Sequence, residues 1–164
     1  MQRLRFVCLW AATFVALGSA AASARPNVVL KLEGDVVQHD AKGAERLTPV
    51  TDGTGLKPGE TIRYVIVASN AGPDAATSLV PEARIPDGTA YEAGSASAAA
   101  PMRVEFSLDG GKTWAVKPLV KVRTPNGVVE KPADPSLYTT LRWIGNKALP
   151  AKSSVSYSYQ VRIK

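Results

Sequence analysis

The chain is poor in the side chains that most enzymes and metal sites use. Its 164 residues include one histidine, His39, and one cysteine, Cys8. Zinc and copper sites need a cluster of Cys, His, Met or carboxylate ligands, so the sequence predicts no bound metal and no cofactor. A Ser-His-Asp triad would have to use His39 with the adjacent Asp40. Because no Gly-x-Ser-x-Gly motif accompanies them, a surface histidine beside a turn is favoured.

Carboxylates could in principle supply acid and base catalysis, which needs two of them about 5–10 Å apart. The available ones are Glu92, Glu105, Asp109, Glu130 and Asp134. Nothing in their spacing brings two of them together. Two Asp-containing turns, at 52–55 and 109–111, lack the ligand spacing of a calcium loop. The sequence therefore predicts no catalytic residues, and a secreted hydrolase is the less favoured alternative.

One short segment has a defined turn chemistry. Residues 107–114 read Ser-Leu-Asp-Gly-Gly-Lys-Thr-Trp and resemble the Asp-box, which forms structural turns in sialidase-type propellers and occurs singly in other β proteins. The matching positions are Ser107, Asp109, Gly111, Thr113 and Trp114. Asp109 is expected to accept backbone N–H bonds, Gly111 to adopt positive φ, and Trp114 to cap the hairpin. We therefore predict a structural hairpin, because a propeller would need repeated motifs and a longer chain.

Aromatic side chains offer another chemistry, which is stacking on sugar rings. The candidates are Tyr91, Trp114, Tyr138 and Trp143. Trp143 alternates with polar neighbours, and this pattern already predicts a core position for it. A carbohydrate-binding module that uses exposed aromatics, chiefly Trp114, is therefore the alternative function.

The first 24 residues have the three parts of a secretory signal peptide. Two arginines precede an apolar run at 6–17, and small residues lead to an Ala-Ser-Ala end at 22–24. The run is too short for a membrane span, which needs about 20 residues. Cys8 lies inside the run, away from the cleavage region. We predict cleavage after Ala24 and an exported protein, periplasmic or extracellular, with no membrane span in the mature chain.

The distribution of charged residues along the chain argues against some classes of partner. Lysine and arginine number 20 against 14 acidic residues, which gives a formal net charge of +6. The basic residues stand singly along the sequence and form no run. This distribution is typical of a solvated surface rather than of a nucleic-acid or anionic-lipid site. We expect no nucleic-acid partner.

Alternation with a period of two residues dominates the mature chain. Every odd position from Val155 to Ile163 is apolar or aromatic, which predicts a strand with one buried face. Residues 61–69 alternate as well but carry apolar side chains on both faces, which predicts a central strand. Shorter alternating segments occur at 28–33, 104–108 and 140–143. Turn residues separate these segments, and 93–100 is predicted to be a loop. We therefore predict one all-β domain at 25–164, an antiparallel β-sandwich.

The order of turns and strands resembles a known family. Leu-Lys-Pro-Gly-Glu at 56–60, Ser-Asn-Ala-Gly-Pro-Asp-Ala-Ala at 69–76 and Ile-Pro-Asp-Gly-Thr-Ala-Tyr at 85–91 are similar to the conserved-repeat domain of bacterial cell-surface proteins, called domain of unknown function eleven. The resemblance extends more loosely over 139–163. Its motifs consist of turn-forming residues: Gly72 and Gly88 supply backbone freedom, and prolines fix φ.

The resemblance implies an immunoglobulin-like β-sandwich with a structural or adhesive role and no catalytic residues. The chain departs from the family at two places: Ala83 stands where the family usually has an Asp, and the segment 102–135 is longer than the family pattern. We expect an exported structural or interaction module of the bacterial envelope. Its partner is expected to be an envelope protein or a polysaccharide.

Overall fold

The computed structural model describes residues 25–99 and 101–164, and this part of the chain forms eleven β-strands and one short 3₁₀ helix. The predicted signal peptide and Cys8 lie outside the described residues. The strands are β1 (Val28–His39), β2 (Glu45–Pro49), β3 (Thr61–Asn70), β4 (Glu82–Arg84), β5 (Thr89–Tyr91), β6 (Ser97–Ala98), β7 (Arg103–Ser107), β8 (Leu119–Thr124), β9 (Gly127–Pro132), β10 (Thr140–Ile144) and β11 (Ser154–Ile163). The 3₁₀ helix is Pro135–Leu137.

The strands pair antiparallel in three groups. The large sheet has the order β2-β1-β3-β11-β5, and β6 also pairs with β11. The small sheet has the order β4-β10-β7, and β8 pairs with β9 alone. The position of β3 between β1 and β11 confirms the central strand predicted at 61–69. The prediction of an all-β, antiparallel fold is confirmed as well.

The large and small sheets enclose one apolar core. From β11, Tyr157, Tyr159 and Val161 are at most 2% exposed, as the alternation of this strand predicts. They meet Leu141 and Trp143 of β10, both fully buried. The Trp143 ring lies 5.5 Å from the ring of Tyr157 and 6.2 Å from that of Tyr159, centroid to centroid. Aromatic contacts of this kind hold the two sheets face to face.

The side-chain amide of Asn70, at the end of β3, joins three segments of the chain in the interior. The side chain is 1% exposed. Its Oδ1 accepts the backbone N–H groups of Asn27 and Gly72 at 3.1 and 3.0 Å. Its Nδ2 lies within hydrogen-bond distance of three carbonyl oxygens, those of Asp74, Leu149 and Pro150. Both polar atoms of this buried amide are therefore satisfied, as burial requires.

Gly72 is needed for a different reason from the one predicted. Gly88 has a φ of +79°, as expected of a residue that supplies backbone freedom. Gly72 does not adopt positive φ. Instead, a Cβ on Gly72 would lie 2.5 Å from the carbonyl oxygen of Arg25 and 2.5 Å from the amide nitrogen of Asn27. The missing side chain allows the backbone of residues 25–27 to pass directly over this turn.

The first half of β1 has an uncovered edge. The hydrogen bond from Val50 N–H to Gly34 C=O, 2.8 Å long, continues the β1–β2 ladder, and the described residues before Gly34 have no strand on that side. Leu30 and Leu32 are 53% and 60% exposed, because the small sheet does not extend over them. The alternation at 28–33 thus predicts the strand but does not reveal that its apolar face is open.

One short strand lies where the sequence predicts a loop. β6 (Ser97–Ala98) occupies part of the segment 93–100 and pairs with Ser158 and Tyr157 of β11. β5 pairs only with residues 161–163 of β11, so the rest of that edge is open to another strand. The pairing depends on the neighbouring strand and not on a local apolar pattern, which is why alternation does not reveal it.

Candidate functional site

Residues 107–114, the segment that resembles an Asp-box, form a closed loop after β7. Phe106 and Ala115 hold its ends together through two backbone hydrogen bonds of 2.8 and 3.0 Å. Asp109 lies at its centre, where Oδ1 accepts the N–H groups of Lys112 at 3.0 Å and Thr113 at 2.9 Å. Oδ2 accepts the Thr113 hydroxyl at 2.7 Å. These backbone bonds are the ones that the sequence predicts for Asp109.

The Ser107 hydroxyl forms further hydrogen bonds within the same loop. It donates to Asp109 Oδ1 at 2.7 Å and accepts the Gly111 N–H at 2.8 Å, in a side chain that is 1% exposed. Gly111 has a φ of +92°, in the left-handed region that favours glycine, as predicted. The Trp114 ring approaches to 3.3 Å of the place where a Cβ on Gly111 would lie. All five predicted residues are therefore brought together in one loop.

Trp114 connects this loop to the outer face of the small sheet. Its ring is half-buried, and the Arg142 guanidinium carbon of β10 lies 4.3 Å from the ring centroid, a cation–π contact. Arg142 also donates to Glu105 Oε2 from Nε at 3.0 Å and Nη2 at 2.7 Å. Arg103 Nη2 lies 2.9 Å from Glu105 Oε1. The Glu105 side chain is buried, and the two guanidinium groups balance its charge.

Asp109 is expected to make the stability of the chain sensitive to acid. The backbone N–H and hydroxyl of Thr113, followed by the Ser107 hydroxyl, hold the pKa of Asp109 well below its usual range. A carboxyl whose pKa is lowered by folding stabilises the fold above its unfolded pKa of about 4 and loses this effect as the pH falls. The gap in unfolding midpoint between the wild-type chain and Asp109→Asn should therefore shrink as the pH is lowered below about 4.

The control for this comparison is Asp52→Asn. Asp52 is exposed in another turn, and its carboxylate accepts no hydrogen bond within the part of the chain that the structure describes. Thermal unfolding followed by circular dichroism should show little effect of this substitution at any pH. A gap for Asp109→Asn that stays constant with pH would show that the charge of Asp109 does not stabilise the loop.

The four aromatic candidates do not form a common exposed surface. Trp143 is fully buried, as predicted, and Tyr91 is only 5% exposed. Tyr138 is half-buried, with its ring centroid 4.6 Å from that of Phe106 and 5.9 Å from that of Tyr91. Trp114 is half-buried over Arg142. Tyr91 and Trp143 are therefore unavailable to a sugar, because the core of the sandwich needs their rings.

His39 lies at the end of β1 and is exposed beside a turn, as predicted. The neighbouring Asp40 carboxylate accepts the N–H groups of Lys42 and Ala44 at 2.8 and 2.9 Å, so it serves the turn. An open cleft of about 480 Å³ beside His39 also includes Glu60 and Glu92. Glu60 accepts the Lys57 N–H at 2.7 Å, and Glu92 is paired with Arg162. Both carboxylates of this cleft are thus held in local contacts.

The remaining carboxylate candidates are separated by the fold. Asp134 accepts the Ser136 N–H at 2.8 Å and so caps the 3₁₀ helix, while Glu130 is exposed on β9. Among residues 25–99 and 101–164, no group of three or more His, Cys, Asp or Glu side chains lies close enough to hold a metal ion. None of the helical structure described for the chain is long and apolar enough to cross a membrane.

The second feature of the segment 102–135 is the β8–β9 ribbon, residues 119–132, which we call the arm. Within the described residues, β8 and β9 pack extensively only against each other. Every arm residue in these strands is exposed except Val120 and Thr124, which are half-buried. At the base, Pro118 and Ala133 are buried and joined by a 2.8 Å hydrogen bond from Ala133 N–H to Pro118 C=O. The arm therefore projects from a fixed base into solvent.

The arm combines apolar and basic side chains. Leu119 and Val128 are 54% and 60% exposed, and Val122 and Val129 are 37% and 38% exposed. The basic residues of the arm are Lys121, Arg123 and Lys131, against one acidic residue, Glu130. The turn at 125–127 is visible in the sequence, but the exposure of both faces is not. Sequence reasoning therefore missed the arm.

The chain was compared with protein families, curated proteins and solved structures. No family model matches the chain, and no curated protein or solved structure matches it.

Proposed function

We propose that the chain is an exported, non-catalytic interaction module of the bacterial cell envelope, built on an immunoglobulin-like sandwich. The signal-peptide pattern of residues 1–24 supports export. The resemblance of its turn order to the bacterial conserved-repeat domain supports a role at the cell envelope. Three turn features carry that order: the Asn70–Gly72 turn, positive φ at Gly59 and positive φ at Gly88.

The observation that carries the proposal is the exposed arm. A two-stranded hairpin is marginally stable in water unless its apolar side chains are covered. In the arm, Leu119, Val122 and Val128 contribute nothing to the core of the sandwich. Large exposed apolar side chains that are grouped on one projection are typical of a binding surface. In the proposed function the sandwich holds the arm, and the arm makes the contact with the partner.

Deletion of the arm should remove partner binding and leave the sandwich folded. Because Pro118 C=O already accepts the Ala133 N–H, the two residues can be joined through an Asn-Gly turn in place of residues 119–132. A tagged wild-type chain expressed in bacteria should remain with the washed envelope fraction. The arm-deleted chain should appear in the released, soluble fraction at a similar total level.

A variant with an equally exposed apolar residue changed elsewhere is the control. Leu32→Ser replaces a side chain that is 60% exposed on β1 and should not alter retention in the envelope fraction. Circular dichroism and the unfolding midpoint of the arm-deleted chain should match those of the wild type. Equal retention of the wild-type and arm-deleted chains would contradict the proposed function.

A further inference from the structure

We propose that the arm binds the surface of a bilayer that contains anionic phospholipids. The inference rests on the proposed function, because it names the partner of the same projecting surface. It depends on three properties of the arm, which are its charge, the placement of its apolar side chains and its length.

The arm carries a net positive charge. Lys121, Arg123 and Lys131 lie on the arm, against one acidic side chain, Glu130. In the β8–β9 register Lys121 lies opposite Glu130, which leaves Arg123 and Lys131 opposite valines. The ribbon thus gathers basic residues that are spread out in the sequence. Each basic group near an anionic membrane surface adds attraction to the lipid headgroups.

The apolar side chains decide between the classes of anionic partner. Leu119, Lys121 and Arg123 alternate along β8 and share one face of the arm, and the register places Val128 opposite Arg123 on the same face. An acidic polysaccharide would pair with the cations but leave the exposed Leu119 and Val128 in water. A bilayer interface accepts both, because apolar side chains enter the boundary between headgroups and acyl chains while long basic side chains reach the phosphates.

The length of the arm restricts the mode of contact to the membrane surface. Each strand of the arm has six residues, which extends about 20 Å at about 3.3 Å per residue. A strand that spans a membrane needs about 9–11 residues. The unpaired edges of a two-stranded ribbon would also be costly inside hydrocarbon. The arm therefore lies at the headgroup level, with its backbone edges in contact with water.

Vesicle binding by the mature chain tests the inference. The chain should co-sediment with phosphatidylglycerol-rich vesicles at least tenfold more strongly than with pure phosphatidylcholine vesicles. Binding should weaken as salt is raised, because salt screens exposed charges. The arm-deleted chain should lose binding to the anionic vesicles. Equal binding by the arm-deleted chain, or no preference for the anionic lipid, would overturn the inference.

Two variants separate the contributions of charge and apolar contact. Lys121→Gln with Arg123→Gln should weaken binding about tenfold or more, since each cation near the surface contributes about a fivefold effect. Leu119→Ser with Val128→Ser keeps every charge on the same face and should also weaken binding severalfold. The control is Lys42→Gln with Lys57→Gln, which removes two exposed lysines outside the arm and should have a small effect. No effect of the Leu119 and Val128 substitutions would indicate attraction of charge alone and contradict a bilayer partner.

The outcomes also distinguish this inference from the proposed function. Arm-dependent retention in the envelope fraction without vesicle binding would overturn the lipid inference and leave the interaction module standing. Salt-sensitive retention on an acidic polysaccharide column, again without vesicle binding, would overturn the inference in favour of a carbohydrate partner. Arm-independent retention together with arm-independent vesicle binding would overturn both proposals.

Discussion

Replacement of Asn70 by alanine is expected to destabilise the fold by about 3 kcal/mol, because it leaves several buried polar groups without partners. The N–H groups of Asn27 and Gly72 would lose their acceptor, and the carbonyl oxygens near Asn70 Nδ2 would lose their donor. For a domain of this size the loss corresponds to a fall of roughly 10 °C in the unfolding midpoint. Thermal and urea unfolding of the purified protein, expressed without the predicted signal peptide, would measure it.

Asn70→Asp tests the same site with almost no change in shape. A carboxylate oxygen in place of Nδ2 would face the carbonyl oxygens of Asp74, Leu149 and Pro150, and this buried charge is unfavourable. We expect Asn70→Asp to destabilise the fold at neutral pH as much as alanine does. Asn146→Asp, at an exposed position, should be close to neutral. An Asn70 effect as small as that of Asn146 would show that the buried amide does not hold the three segments together.

Trp143→Ala is expected to destabilise the fold by about 4 kcal/mol. The side chain is fully buried between the sheets and contacts the rings of Tyr157 and Tyr159. Loss of a large buried aromatic removes its transfer free energy and leaves a cavity in a rigid core. Urea unfolding is the appropriate measurement, with Val116→Ala as a surface control because Val116 is 49% exposed. The control should change the stability by about 0.5 kcal/mol or less.

Trp143→Phe should be much milder, at most about 2 kcal/mol. The indole Nε1 of Trp143 is buried and has no hydrogen-bond partner in the part of the chain that the structure describes. Phenylalanine therefore removes an unsatisfied polar group together with part of the apolar area. A Phe variant as destabilised as the Ala variant would indicate that the indole nitrogen has a partner in the folded protein. Near-neutral effects of both substitutions would contradict the central position of Trp143 in the core.

The sequence predicts those parts of the fold that are stabilised by contacts between residues close together in the chain. In β11 the alternation of Tyr157, Tyr159 and Val161 is sufficient to assign the buried face, because successive side chains of a strand point to opposite sides. The hydrogen bonds of the Asp109 carboxylate and the Ser107 hydroxyl are also predictable, since they join residues at most four positions apart. Turn chemistry and period-two patterns are properties of short segments, so one sequence reveals them.

Features that depend on distant residues are not predicted in this way. The Asn70 amide bonds to residues 43 positions earlier and 79 and 80 positions later, and nothing near Asn70 indicates these partners. The close approach of the Arg25–Asn27 backbone to Gly72 also involves residues far apart in the sequence, so the sequence around Gly72 does not reveal it. Exposure of the arm is also non-local, because strands that alternate equally well are buried or solvated according to what packs over them. The arm also brings together charges that stand singly in the sequence.

The uncovered edge of β1 has a consequence for the behaviour of the chain at high concentration. The segment Val28–Leu32 reads Val-Val-Leu-Lys-Leu, and an exposed apolar strand edge of this composition is a template for fibre growth between copies. Lys31 and Glu33 are both highly exposed and joined by a 2.7 Å ion pair. Their charges must lose water before another chain stacks against this edge. This charged pair is therefore expected to oppose association of a second copy at this edge.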